Sequence, residues 1–115
     1  MDASERMQLE QSARDTYRSH LALAVVHPTY AQPLNGCELM TSSQGASYQD
    51  FVDHLLYSAE QMLVTAKGWE STFLSDLEPH ADYLCATVGP REDTVETEAL
   101  LEQFKLDTWP TTPVC

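Results

Sequence analysis

The sequence predicts an all-α protein: an antiparallel bundle of four to five helices with one long irregular loop. Three observations predict it. Apolar residues recur at three- and four-residue spacing through four segments of the chain. No stretch of useful length alternates with the two-residue period of a strand. Glycine and proline fall between the periodic segments or at a single interruption. With 115 residues, of which 43% are hydrophobic and 21% charged, the chain supports one ordinary core and is neither a disordered tail nor a membrane span. One domain is expected over residues 1–108, followed by a proline-bearing tail at 109–115.

The first helix is expected over residues 5–26, with Met7, Arg14, Tyr17, Leu21, Ala24 and Val25 as its stripe and the Arg14 stem along the edge. His27-Pro28 ends it, because a proline pushes the preceding residue out of the α region. Residues 28–46 hold Pro28, Pro33, Gly36 and Gly45 and read as the irregular loop, either functional in itself or carrying a short helical turn around Glu38 to Met40. Ser47 with Asp50 then resembles a capping box, opening a helix to about Ala66 on Phe51, Leu55, Ala59 and Met62. Gly68 suits the residue just past that helix. Residues 69–87 keep helical phase through Trp69, Phe73, Leu77, Ala81 and Leu84, and Pro79 predicts a kink or a split into two helices. Asp93 with Glu96 opens the last helix, to about Lys105, with Val95, Ala99, Leu100, Gln103 and Phe104 inward.

The ends carry no signal-peptide pattern and no lipidation box, and the longest aliphatic run, Leu21 to Val26, is far short of the ~20 residues of a spanning helix. Cys37, Cys85 and Cys115 are an odd, widely spaced set, which suits a reducing compartment, with Cys85 as a buried inert thiol. The expectation is a cytoplasmic protein of a bacterial cell or a phage-infected host.

Charge is the most informative feature. Eighteen acids against six bases give −12, which argues against direct contact with nucleic acid or an anionic membrane. Residues 1–27 carry only −1, and the remainder holds fourteen acids against Lys67, Arg91 and Lys105. Such acids can be a solubilising face. Fixed on helix surfaces, they can also imitate a phosphate track and occupy the basic surface of a nucleic-acid-processing complex, as an inhibitor or DNA mimic does. On that reading the contact residues are Asp76, Glu78, Asp82, Glu92, Asp93, Glu96 and Glu102. The alternative is a helical adaptor or accessory subunit that binds through apolar surface, anchored by Tyr30, Leu34, Leu39, Met40 or Trp109.

The residues for catalysis or cofactor binding are few. His20, His27, His54 and His80 match no metalloprotease spacing, and no glycine-rich phosphate loop or hydrolase elbow is present. His54 with Asp50 and His80 with Asp76 are i, i+4 pairs, ordinarily solvated. Tyr17, His20 and Tyr30 are placed to line a polar pocket where the first helix meets the loop. Cys37, His54, His80 and Cys85 are zinc-competent types without a zinc motif. No metal or cofactor is expected. An enzyme would require His20, His54 or His80 partly buried in a pocket beside a carboxylate.

The segment from Tyr17 to Ala24 leading into His27-Pro28, with Trp69 and the run Pro79-His80-Ala81-Asp82-Tyr83-Leu84-Cys85, resembles small bacterial helical proteins in which a helix ends in His-Pro and a later one carries Trp and then His-x-x-Tyr-Leu. The resemblance covers about residues 14–88 and implies structural roles for these residues. In size and acidity the chain is also similar to phage-encoded inhibitors, anti-CRISPR proteins and DNA mimics among them.

Overall fold

The computed structural model describes residues 2–87 and 95–108, with the side chains of 85–87 and 108 outside that description. The protein is all-α. Its elements are α1 (Ala3–Val26), α2 (Pro28–Ala31), α3 (Gly36–Thr41), α4 (Gly45–Leu63), α5 (Glu70–Leu77), a 3₁₀ turn over Glu78–His80, α6 (Ala81–Thr87) and α7 (Val95–Thr108). The described residues form seven α-helices against the four to five expected, the additional ones being the short α2 and α3. None of the described helices is long and apolar enough to cross a membrane.

Asp2 caps α1 by accepting the Glu5 N–H at 2.8 Å, and His27 closes the helix ahead of Pro28. The buried face of α1 is Ala13, Tyr17 and His20; of the expected stripe Tyr17 is buried and Ala24 packs against the core, whereas Met7 is 69% and Val25 81% exposed and Leu21 also faces out. Aromatic packing sets this phase. The Tyr17 ring meets Trp69 and Phe73 edge-on at 5.8 and 5.2 Å, and His20 packs on Phe51 at 4.6 Å. Arg14 does lie along the edge, with its guanidinium 5.3 Å from the Trp69 ring and an ion pair to Glu10 at 2.9 Å.

The expected irregular loop is largely helical. Pro28 occupies the first turn of α2, where its missing N–H costs nothing. Asn35 caps α3 by accepting the Glu38 N–H at 3.0 Å. The helical turn around Glu38 to Met40 is therefore the reading that holds. Next, α4 begins at Gly45, so Ser47 lies inside the helix rather than capping it. Gly45 donates to the Ser42 carbonyl at 3.1 Å, and a Cβ there would overlap the Met40 carbonyl oxygen, so glycine lets α4 start hard against α3.

The core centres on α4, which packs against α1, α3 and α7 and buries Tyr48, Phe51, Val52, Leu55, Leu56, Ala59 and Met62. It ends at Leu63, short of the expected Ala66, and Gly68 supplies the left-handed residue (φ +88°) that turns the chain toward α5. Pro79 sits in the 3₁₀ turn that splits α5 from α6, and the stripe Phe73, Leu77, Ala81 and Leu84 stays buried across it. On α7 the inward residues are Thr97, Leu100, Leu101 and Phe104, while Val95 is 78% exposed and Ala99 and Gln103 face out. Apolar and polar residues are poorly segregated along α7, so contact with α4 and α5 decides its phase. The expected capping Asp93, the break at Gly89-Pro90 and the tail with Trp109 lie outside the described residues.

Candidate functional site

Helices α1 and α4 and the 3₁₀ turn bring three of the four histidines to one region. His80 is 1% exposed and lies in the 3₁₀ turn; its Nδ1 is 2.6 Å from the hydroxyl of Tyr48, itself fully buried on α4. His20 is 4% exposed, and its Nδ1 faces the Nδ1 of the half-buried His54 at 3.0 Å. Because the two atoms are hydrogen-bonded, one ring donates and the other accepts. Desolvation, helped by the neighbouring His54, pushes the pKa of His20 down to about 4. Burial does the same for His80, also to about 4, reinforced by His20 and opposed by Asp82. Both rings are neutral near pH 7. Burial raises the Tyr48 pKa, so its hydroxyl keeps its proton.

His20 and His80 both line a half-open cleft of about 220 Å³ between α1, α4 and the α5–3₁₀ junction. Phe51, Leu55 and Pro79 give it apolar walls, and Asp76 lines it as well. The Tyr17 hydroxyl donates to Asp76 Oδ2 at 2.5 Å, which orients the carboxylate; burial and this bond raise the Tyr17 pKa. Spacing predicts ordinarily solvated i, i+4 pairs, but His80 is buried and binds Tyr48 rather than Asp76, and the half-buried His54 binds His20 rather than Asp50. Among the described residues, His20 lines this cleft, and neither Tyr17 nor Tyr30 is among its lining residues. Tyr30 stacks on His27 beside a second groove, which it lines together with His27, Asp50 and His54.

The condition set for an enzyme, a buried histidine in a pocket beside a carboxylate, is met by His20 and His80. The partner that orients His20 is an imidazole, however, where a general base is ordinarily held by a carboxylate. The described residues contain no group of three or more metal-ligating side chains placed to hold a metal ion. Cys37 is disulfide-bonded, which removes it from any zinc set and weakens the argument for a reducing compartment. The side chain of Cys85, the expected inert thiol, lies outside the description.

The seven acids of the decoy reading divide. Asp76 lines the cleft, and Asp82 accepts the Gly36 N–H at 3.0 Å, tying α6 to α3. Glu78, Glu96 and Glu102 are exposed, and Glu92 and Asp93 lie outside the described residues. Of the apolar anchors, Tyr30, Leu39 and Met40 pack against the core, Leu34 is fully exposed, and Trp109 lies outside.

A surface that spacing did not single out is the C-terminal half of α1. Leu21, Leu23, Val25 and Val26 are exposed by 44, 39, 81 and 69%. They lie in a stretch, residues 19–37, with no Asp, Glu, Lys or Arg, in a chain of net charge −12. The signal was available as a charge gap in the sequence; the helical phase assigned to Leu21 and Val25 concealed it by sending both inward. Comparison of the chain with protein-family models, with curated proteins and with solved structures gives no match.

Proposed function

We propose that this protein is a helical protein–protein interaction module, an adaptor or accessory subunit that docks an apolar partner surface onto the C-terminal half of α1. The observation that carries the reading is the exposed aliphatic surface of Leu21, Leu23, Val25 and Val26 within the charge-free stretch, with Leu34 exposed in the same stretch. Val25 follows Leu21 by four residues and Val26 follows Leu23 by three, so the four side chains make two exposed apolar pairs around the helix. Exposed apolar surface marks interaction sites, and depletion of charge is the compositional sign of an interface core. Acids elsewhere on the surface keep such a molecule soluble.

A second reading rests on a different surface. Glu96, Glu98 and Glu102 are all exposed on α7, which favours an acidic face that docks a basic protein surface of a nucleic-acid-processing complex. Salt and mutation separate the two. The tagged protein and its Val25→Asp and Glu98→Lys/Glu102→Lys variants are used to capture partners, with washes at low and high salt. The first reading expects a partner retained in high salt by the parent and the α7 variant but lost by Val25→Asp. A partner lost at high salt and from the α7 variant alone would replace it with the acidic reading.

A further inference from the structure

We propose that the cleft between α1, α4 and the 3₁₀ turn is a binding site for a small organic ammonium compound, its charged head at Asp76 and its short apolar body against Phe51, Leu55 and Pro79. The proposal is independent of the docking surface on α1.

It begins from two buried nitrogens. Each of His20 and His80 uses its Nδ1, toward His54 and Tyr48 respectively, and the Nε2 of neither has a hydrogen-bond partner among the described residues. Both side chains are more than nine-tenths buried and both line the cleft. Buried polar atoms in native proteins are nearly always paired, so two buried imidazoles that line one cavity, each with a nitrogen to spare, point to something that pairs with them there. The carboxylate that lines the same cleft restricts what that is. Asp76 is held by the Tyr17 hydroxyl through one oxygen, leaving the other for a ligand.

No lysine or arginine lines the cleft among the described residues, and the imidazoles are neutral near pH 7. An anion would therefore meet a carboxylate with no compensating cation. An ammonium head instead gives Asp76 a charge-assisted hydrogen bond and has further N–H groups for an imidazole acceptor. The whole-molecule charge of −12 raises the local concentration of cations in the same sense. The volume of about 220 Å³ is below the ~300 Å³ at which drug-sized sites begin, which restricts the body to a few carbons. Aromatic and aliphatic walls suit such a body.

The test uses the full chain at pH 7.5, with the histidine ring resonances followed by NMR as n-butylammonium chloride or sodium butyrate is added at constant ionic strength. The expected result is saturable shifts of the His20 and His80 rings with butylammonium and none with butyrate. Asp76→Asn should weaken binding by about tenfold or more, the loss of one charge-assisted hydrogen bond. Asp76→Asn also touches the Tyr17 contact, so Ala24→Leu, which fills the cleft from α1, provides a second variant and should abolish the shifts. Equal saturation by butyrate, no saturable shift with butylammonium, or binding unchanged in both variants would overturn the proposal.

Discussion

Tyr48 shows how one hydrogen bond can decide whether a buried ring is tolerable. Its hydroxyl and the His80 Nδ1 are both buried, so neither has water to fall back on. Tyr48→Phe keeps the ring packing against His80 and Tyr83 but leaves that nitrogen unpaired. The expected cost is about 1–3 kcal/mol, the penalty for an unsatisfied buried acceptor or donor. Chemical denaturation of parent and variant measures it, and an unchanged midpoint would mean that water replaces the hydroxyl. Sequence spacing could not have found this pair. Tyr48 and His80 are 32 residues apart, and i, i+4 reasoning tied His80 to Asp76, its neighbour on an idealised helix. His80 stands three residues after Leu77 and four before Leu84, so the buried stripe that crosses the 3₁₀ turn carries it into the core.

At the scale of elements, the legible helices were those whose own residues state their phase. In α4 and in the α5–α6 pair, large apolar side chains at three- and four-residue spacing leave one face to bury, and those faces are buried. Pro79 marked the split because a proline restricts structure locally. In α1 and α7 the phase is set by partners instead: Tyr17 and His20 are drawn in by Trp69, Phe73 and Phe51, and four aliphatic residues are left outside. The start of α4 was also misread, because Ser47 resembles a cap while the real start depends on a close approach between two helices. That approach yields a paired prediction. Gly45→Ala would gain up to ~1 kcal/mol in helix propensity, but its Cβ meets the Met40 backbone carbonyl, which cannot step aside without moving α3. A net loss of about 2 kcal/mol or more is expected, the range of overpacking against a rigid neighbour. Ser47→Ala, at the position that looked like the cap, should stay within about 0.5 kcal/mol because Ser47 is an exposed residue inside the helix. Thermal melts of the two variants check both; the reverse order would restore Ser47 as the cap.

For the molecule as a whole, acidification produces two opposed effects. Near pH 7 the charge of −12 repels itself, and lowering the pH toward the isoelectric point near 4.4 relieves that repulsion and favours the compact state. The buried imidazoles act in the other direction. His20 and His80 have folded pKa values of about 4, below the ~6.5 of a solvated histidine, so the unfolded chain binds more protons than the folded one between those values. Their neutral packing therefore contributes fully above about pH 6.5, and the contribution is lost as the pH falls through that window toward 4. The upper bound is about 3 kcal/mol for each ring. The groups facing them modify this: His54 deepens the loss at His20, His20 deepens it at His80, and Asp82 offsets part of it at His80. Since the global charge term persists when the histidines are removed, the difference between two curves isolates the histidine term. His20→Gln/His80→Gln, which keeps side-chain amides able to hydrogen-bond with His54 and Tyr48, should be less stable than the parent at pH 7.5. Its urea midpoint should then decline less between pH 6.5 and 4.5, so that the two curves converge. Curves that stay parallel across that interval would show that the rings titrate as solvated groups, and that the acid response of the protein belongs to its carboxylates alone.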